Sequence, residues 1–148
     1  MPGRELTAMP PDSEPAVPYE RSFDGQYGLE IVSEEIGRLA GRVAVGEHVL
    51  DRLGEVPSGV YATIAETLAS RGTWLAVMAE GNQAMGLSND TSRLAAVRAG
   101  TLQAVATAVA RGDDAWVWRV ETADDGGRAC AFSRVTVAVR PARRAGSG

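Results

Sequence analysis

The chain contains no lysine at all, so its fifteen basic residues are all arginines. That removes Schiff-base chemistry and any P-loop lysine from consideration. There is a single cysteine, Cys130, in the apolar stretch RACAFSRV, so no internal disulfide can form. A buried small hydrophobe is the expected role for it. There is also a single histidine, His48, and one His with one Cys offers no zinc-ligand set. No G-x-S-x-G nucleophile elbow is present. With imidazole and thiol nearly absent, carboxylates are left as the candidate bases.

Positive charge is scarce as well. The net charge is -4, which argues against general nucleic-acid binding, since that needs a basic footprint. An anionic ligand would have to meet a local group of arginines. No apolar run approaches the roughly 18 residues of a membrane span. The first twenty residues carry prolines and acids where a secretion signal needs an apolar stretch, so a cytoplasmic, unprocessed protein is expected.

Length and composition suit one domain: 148 residues, 45% hydrophobic and 23% charged. Residues 1–18 are rich in Pro, Glu and Ser and read as disordered. The domain is expected over 19–141, followed by a flexible tail at 142–148. The stretch 18–28 suits a short helix or turn. LEIVSEEIG and RLAGRVAVG read as two strands about Gly37. Residues 46–58 form a connection long enough to suggest a functional loop.

The segment GVYATIAETLASRG, residues 59–72, reads as a helix. Val60, Ile64 and Leu68 fall on one stripe and alanines cover the rest, so the helix should be buried on most sides. Ser58 is the expected N-cap and Gly72 the expected stop. Everything after Gly72 reads as strand: TWLAVMAEG, AMGLSNDTSRL, TLQAVATAVARG, AWVWRVETA and RACAFSRVTVAVR. The last three predict an antiparallel meander. Strands, one apolar helix, then more strands predict an α+β architecture, with a curved antiparallel sheet around one central helix.

Between Val56 and Ser70 the only charged residue is Glu66. A carboxylate inside an apolar helix would be desolvated and become a competent base or nucleophile near neutral pH. Equally, it could lie on one exposed edge or pair with Arg52, Arg71 or Arg93. Ser70 and Thr63, one turn on either side, share its face. The helix start, Ser58 and Gly59, exposes free amides that can hold an oxyanion. Gly59 and Glu66 lie seven residues apart, about 10 Å along the axis. One helix therefore cannot bring both to a single reacting carbonyl. If both act, two copies of the chain must form composite sites across an isologous interface.

SGVYATIAETLAS, GLSNDTSRLAAVRAGTL and WVWRVETADDGGRACAFSRVTVAVR together resemble the hot-dog thioesterases of the 4-hydroxybenzoyl-CoA and phenylacetyl-CoA branch, over about residues 23–140. The resemblance implies hydrolysis of an acyl-CoA or acyl-carrier-protein thioester by a homodimer or homotetramer without a cofactor. It places the catalytic carboxylate on Glu66 and its companion hydroxyl on Ser70. The oxyanion amide falls on Ser58, with Gly59 beside it, and the loop glutamine of the family falls on Asp51. Arg93, Arg98, Arg111 and Arg134 become candidates for the phosphates of coenzyme A. Tyr61, Trp74 and Met85 become candidates for the acyl pocket, with core packing the default role for aromatics and Met. Two departures stand out: Pro57 replaces the family's histidine and Asp51 its glutamine. They leave open a non-catalytic acyl-thioester-binding dimer, and the same fold also hosts hydratases and dehydratases.

Overall fold

In a computed structural model, residues 16–143 are described; the expected disorder at 1–15 and the tail at 144–148 lie outside them. A one-turn helix at Tyr19–Arg21 leads into α1 (Phe23–Tyr27), capped by Ser22, whose Oγ accepts the Gly25 amide. β1 (Glu30–Glu35) and β2 (Arg38–Ala44) form a hairpin. The long helix α2 (Ser58–Val77) follows, then β3 (Asn82–Arg93), β4 (Thr101–Arg111), β5 (Ala115–Ala123) and β6 (Ala129–Pro141). The strands make one antiparallel sheet in the order β1-β2-β4-β5-β6-β3. β4, β5 and β6 form the expected meander, and β3 pairs only with β6, at the edge.

The sheet buries one face, as its alternating side chains require. Trp116, Trp118, Val120 and Thr122 of β5 point inward, with Leu102, Ala104 and Ala106 of β4 and Val135, Val137 and Val139 of β6. Against them α2 lays Tyr61, Ile64, Ala65, Leu68, Ala69, Gly72, Thr73 and Val77, an unbroken helical stripe. Cys130 is fully buried among them.

That stripe corrects two expectations. Gly72 does not stop the helix, and TWLAVMAEG is not a strand: α2 runs to Val77, and a further turn spans Met78–Glu80. The glycine serves close packing instead. A Cβ at Gly72 would sit 2.5 Å from Trp118 Cη2 and 2.7 Å from Leu39 Cδ1. Beside it, the buried Trp118 indole N–H donates to Thr73 Oγ1 at 2.9 Å, and Thr73 donates to the Ala69 carbonyl at 2.9 Å. Burial of Thr73 and Val77 overrides their β propensity. The chain turns only at Gly81, where φ is +76°.

Ser58 is likewise not the cap. Pro57 holds the capping position with extended backbone, no side chain caps the end, and Ser58 is the first helical residue. The amides at the helix start therefore have no side-chain acceptor within the capping turn.

Candidate active site

The flank of α2 that the central strands leave uncovered carries Thr63, Glu66, Thr67, Ser70 and Arg71, spaced three and four residues apart as one stripe requires. These five side chains form one wall of a cavity of about 570 Å³. The opposite wall is the leading segment of the chain, with Tyr19, Ser22, Phe23 and Asp24 from the first two helical turns and Leu29 and Ile31 from the approach to the sheet.

Hydrogen bonds tie the two walls together. Thr67 Oγ1 donates to Asp24 Oδ1 at 2.9 Å, and the Tyr27 hydroxyl donates to the same oxygen at 2.9 Å. Burial pushes the Tyr27 phenol up, so it stays a donor at ordinary pH. The Tyr19 hydroxyl donates to the Leu29 carbonyl, and Arg71 pairs with Glu34 of β1. Thr63 bonds back to the Gly59 carbonyl at 2.8 Å. Among the described residues, no hydrogen bond engages the Ser70 hydroxyl.

Glu66 corrects the expectation of a buried carboxylate. In the single chain it is exposed, at the open side of the cavity. Its carboxylate lies against Gly86 of β3, where any Cβ would collide with Oε1. The exposed edge given as the alternative is what the structure shows, while pairing with Arg52, Arg71 or Arg93 is absent among the described residues: Arg71 is taken by Glu34 and Arg93 by Glu55.

The other anticipated residues are dispersed. Ser58 and Gly59 stand at the start of α2, eight and seven residues before Glu66 on a continuous helix. Asp51 does not reach the cavity. Its Oδ1 accepts the amides of Leu53 at 2.8 Å and Glu55 at 3.1 Å, closing the loop before α2. Tyr61 is a core residue rather than a pocket residue: it has no exposed surface, and its hydroxyl has no partner. Burial pushes its phenol up to about 12. Trp74 and Met85 also lie outside the cavity lining.

Of the arginines, Arg93 donates to Glu55 Oε2 at 3.1 Å, and Arg98 pairs with the other oxygen of the same carboxylate. Both thus gather near the α2 start. Arg111 stacks on Trp116 at 5.2 Å and packs over Gly37 at the far end of the sheet. Arg134 is exposed on the outer sheet face, opposite Arg119. Of the residues named in the sequence reading, the structure brings Glu66, Ser70, Thr63 and Arg71 together at the cavity. Asp24, Tyr27, Thr67 and Gly86 join them without having been singled out. For Gly86 the signal was present, since a glycine inside a strand marks a close approach.

A curved antiparallel sheet wrapped on one long helix, with a carboxylate on the helix beside a cavity, defines the hot-dog class. A 1,4-dihydroxy-2-naphthoyl-CoA hydrolase of Listeria monocytogenes is 32% identical over 117 residues, covering 79% of this chain and 94% of the relative. The chain belongs to the hot-dog thioesterase family and is a thioester hydrolase. A variant of thioesterase PA1618 from Pseudomonas aeruginosa superposes with a TM-score of 0.80 at 25% identity, covering 84% of this chain and 89% of that one. A hypothetical thioesterase protein of Streptococcus pneumoniae solved with coenzyme A shares the fold, with a TM-score of 0.67 at 21% identity over 78% of this chain and 88% of that one. No protein-family model matches the chain.

Proposed function

We propose that the chain hydrolyses an acyl-CoA thioester, with Glu66 as the reactive carboxylate and the acyl group seated in the cavity beside it. The observation that carries this reading is the position of Glu66, the one carboxylate on α2, at the rim of a cavity large enough for an acyl group. Glu66 attacks the carbonyl directly to give a mixed anhydride, or deprotonates the water that attacks. In either route negative charge develops on the thioester oxygen, and the thiolate of coenzyme A departs.

The amides at the start of α2, at Ser58 and Gly59, stabilise that charge. They cannot do so for the Glu66 of their own helix, which is about 10 Å away along the axis. The active unit is therefore a dimer in which the helix start of one copy faces Glu66 of the other. The edge strand β3 supports this arrangement. It is twelve residues long, pairs on one side only, and leaves Met85 47% and Leu87 60% exposed. Such an edge is a template for a second copy. Pairing there would also cover the exposed Glu66. Arg93 and Arg98, held by Glu55 beside the α2 start, are placed to meet the phosphates of coenzyme A.

Thiol release from a panel of acyl-CoA esters, with aryl, arylacetyl and straight-chain members, tests the reading directly. Wild-type chain should turn over at least one class, and Glu66→Ala should lower that turnover by about three orders of magnitude or more. A folded chain that binds these esters and releases no thiol overturns hydrolysis. Full activity in a species that light scattering shows to be monomeric overturns the composite site. A single turnover in ¹⁸O-labelled water separates the two routes, because label entering Glu66 itself marks the anhydride.

A further inference from the structure

β3 departs from regular strand geometry where it passes Glu66. Gly86 pairs with Val137 and Ser88 with Thr136, so Leu87 is an extra residue, a β-bulge. The bulge changes which side chains face the helix. In a regular strand, residues three apart point to opposite faces. Here one inserted residue resets the alternation, and Gly86 and Asn89 both face α2, opposite the inward-pointing Val137 and Val135.

Each of the two then does something specific at the same turn of the helix. Gly86 leaves the space that the Glu66 carboxylate occupies, since a Cβ there would collide with Oε1. Asn89 Nδ2 donates to the Ala62 carbonyl at 2.8 Å. Ala62 is four residues before Glu66, so its carbonyl is also the one that accepts the Glu66 amide in the helix ladder. A carbonyl has two lone pairs and serves both donors.

The asparagine is itself oriented. The Thr91 hydroxyl donates to Asn89 Oδ1 at 2.7 Å, which turns Nδ2 toward the helix. Ser133 of β6, which is buried, lies 2.7 Å from Thr91. Because the Thr91 proton is committed to Asn89, Ser133 must be the donor to Thr91. The hydroxyls therefore form a one-way chain from the sheet interior to the backbone that carries Glu66.

We infer that Asn89 and Gly86, brought to one face by the Leu87 bulge, are positioning residues that fix the Glu66 carboxylate for attack. This rests on the reading of Glu66 as the reactive group. Asn89 sets the helix turn, Gly86 sets the seat, and neither touches the thioester.

The test uses Asn89→Ala, Asn89→Asp and Gly86→Ala, each in the wild-type and the Glu66→Ala backgrounds, assayed on the fastest acyl-CoA of the panel above. In the wild-type background each should lower kcat about tenfold or more, with KM within about twofold. Asn89→Asp keeps the shape and loses the donor, so it should match Asn89→Ala. In the Glu66→Ala background none should change the residual rate, because there is no carboxylate left to position. If Asn89→Ala does not fold, Gly86→Ala still decides the matter, since its added Cβ meets only the mobile end of the Glu66 side chain.

Equal losses in both backgrounds would reduce the two residues to structural roles and overturn the inference. Wild-type kcat for Asn89→Asp would overturn the part assigned to the donor. An inactive Glu66→Ala beside fully active Asn89 and Gly86 variants overturns this inference alone. An active Glu66→Ala overturns the reading beneath it as well.

Discussion

The two faces of α2 obey different rules. On the sheet side, Gly72 lets Trp118 and Leu39 approach the helix backbone, Thr73 and the Trp118 indole are paired, and among the described residues the Tyr61 hydroxyl alone is buried without a partner. On the cavity side, small polar residues surround Glu66, the carboxylate is exposed, and no hydrogen bond engages the Ser70 hydroxyl among the described residues. The first face stabilises the fold. The second keeps its polar groups beside an open, solvent-reached space, where a ligand can meet them. One helix thus separates folding from chemistry by angle rather than by position along the chain.

Substitutions on the two faces should therefore fail in different assays. The largest effect belongs to the cavity face: Glu66→Ala should lower kcat by about three orders of magnitude or more while leaving the melting temperature unchanged within a few degrees. A matching fall in both quantities would erase the separation. The next belongs to the sheet face. Gly72→Ala gains about 1 kcal/mol of helix propensity but forces Trp118 and Leu39 apart. The net loss should be about 2 kcal/mol by urea denaturation, with turnover per folded molecule intact.

Thr73→Val leaves the buried Trp118 N–H without an acceptor and should cost about 1–2 kcal/mol, again without a kinetic effect. The smallest concerns Tyr61, whose buried hydroxyl has no partner. Its folded pKa stands above the unfolded value, so the unfolded chain ionises first and stability is lost as pH rises from 10 toward about 12. Tyr61→Phe should change stability at neutral pH by less than about 1 kcal/mol and should flatten that alkaline loss in a pH series of denaturation midpoints.

The sequence announced the first face partly and the second poorly. The meander of β4, β5 and β6 was legible because each strand is long and closely follows the last. The helix was legible, but its end was not. Gly72 carries the usual stop signal, and only the partner it meets, Trp118, forty-six residues later, turns that signal into a packing feature. Glu66 stood out as the lone charge in an apolar helix. Its exposure did not, because small apolar neighbours do not say which flank a sheet covers and which a cavity leaves open. Asp24 was invisible as a wall of that cavity, since its tie to Thr67 spans 43 residues. The family resemblance supplied the carboxylate and its neighbouring hydroxyl, yet it also pointed to Tyr61, which the fold spends on the core.

The cavity has one further property. Its two walls come from stretches with separate duties: α2 brings the proposed reactive group, and residues 19–31 bring most of the opposite lining. Within that stretch Tyr27 and Leu29 are core residues, Ile31 packs against the core and Ser22 caps α1, so the exposed Tyr19 and Phe23 are the lining residues whose exchange disturbs the fold least. On the proposed seating of the acyl group in this cavity, selectivity and reactivity are written in different sentences of the sequence. New acyl preferences can be drafted by editing the first while the second is left untouched.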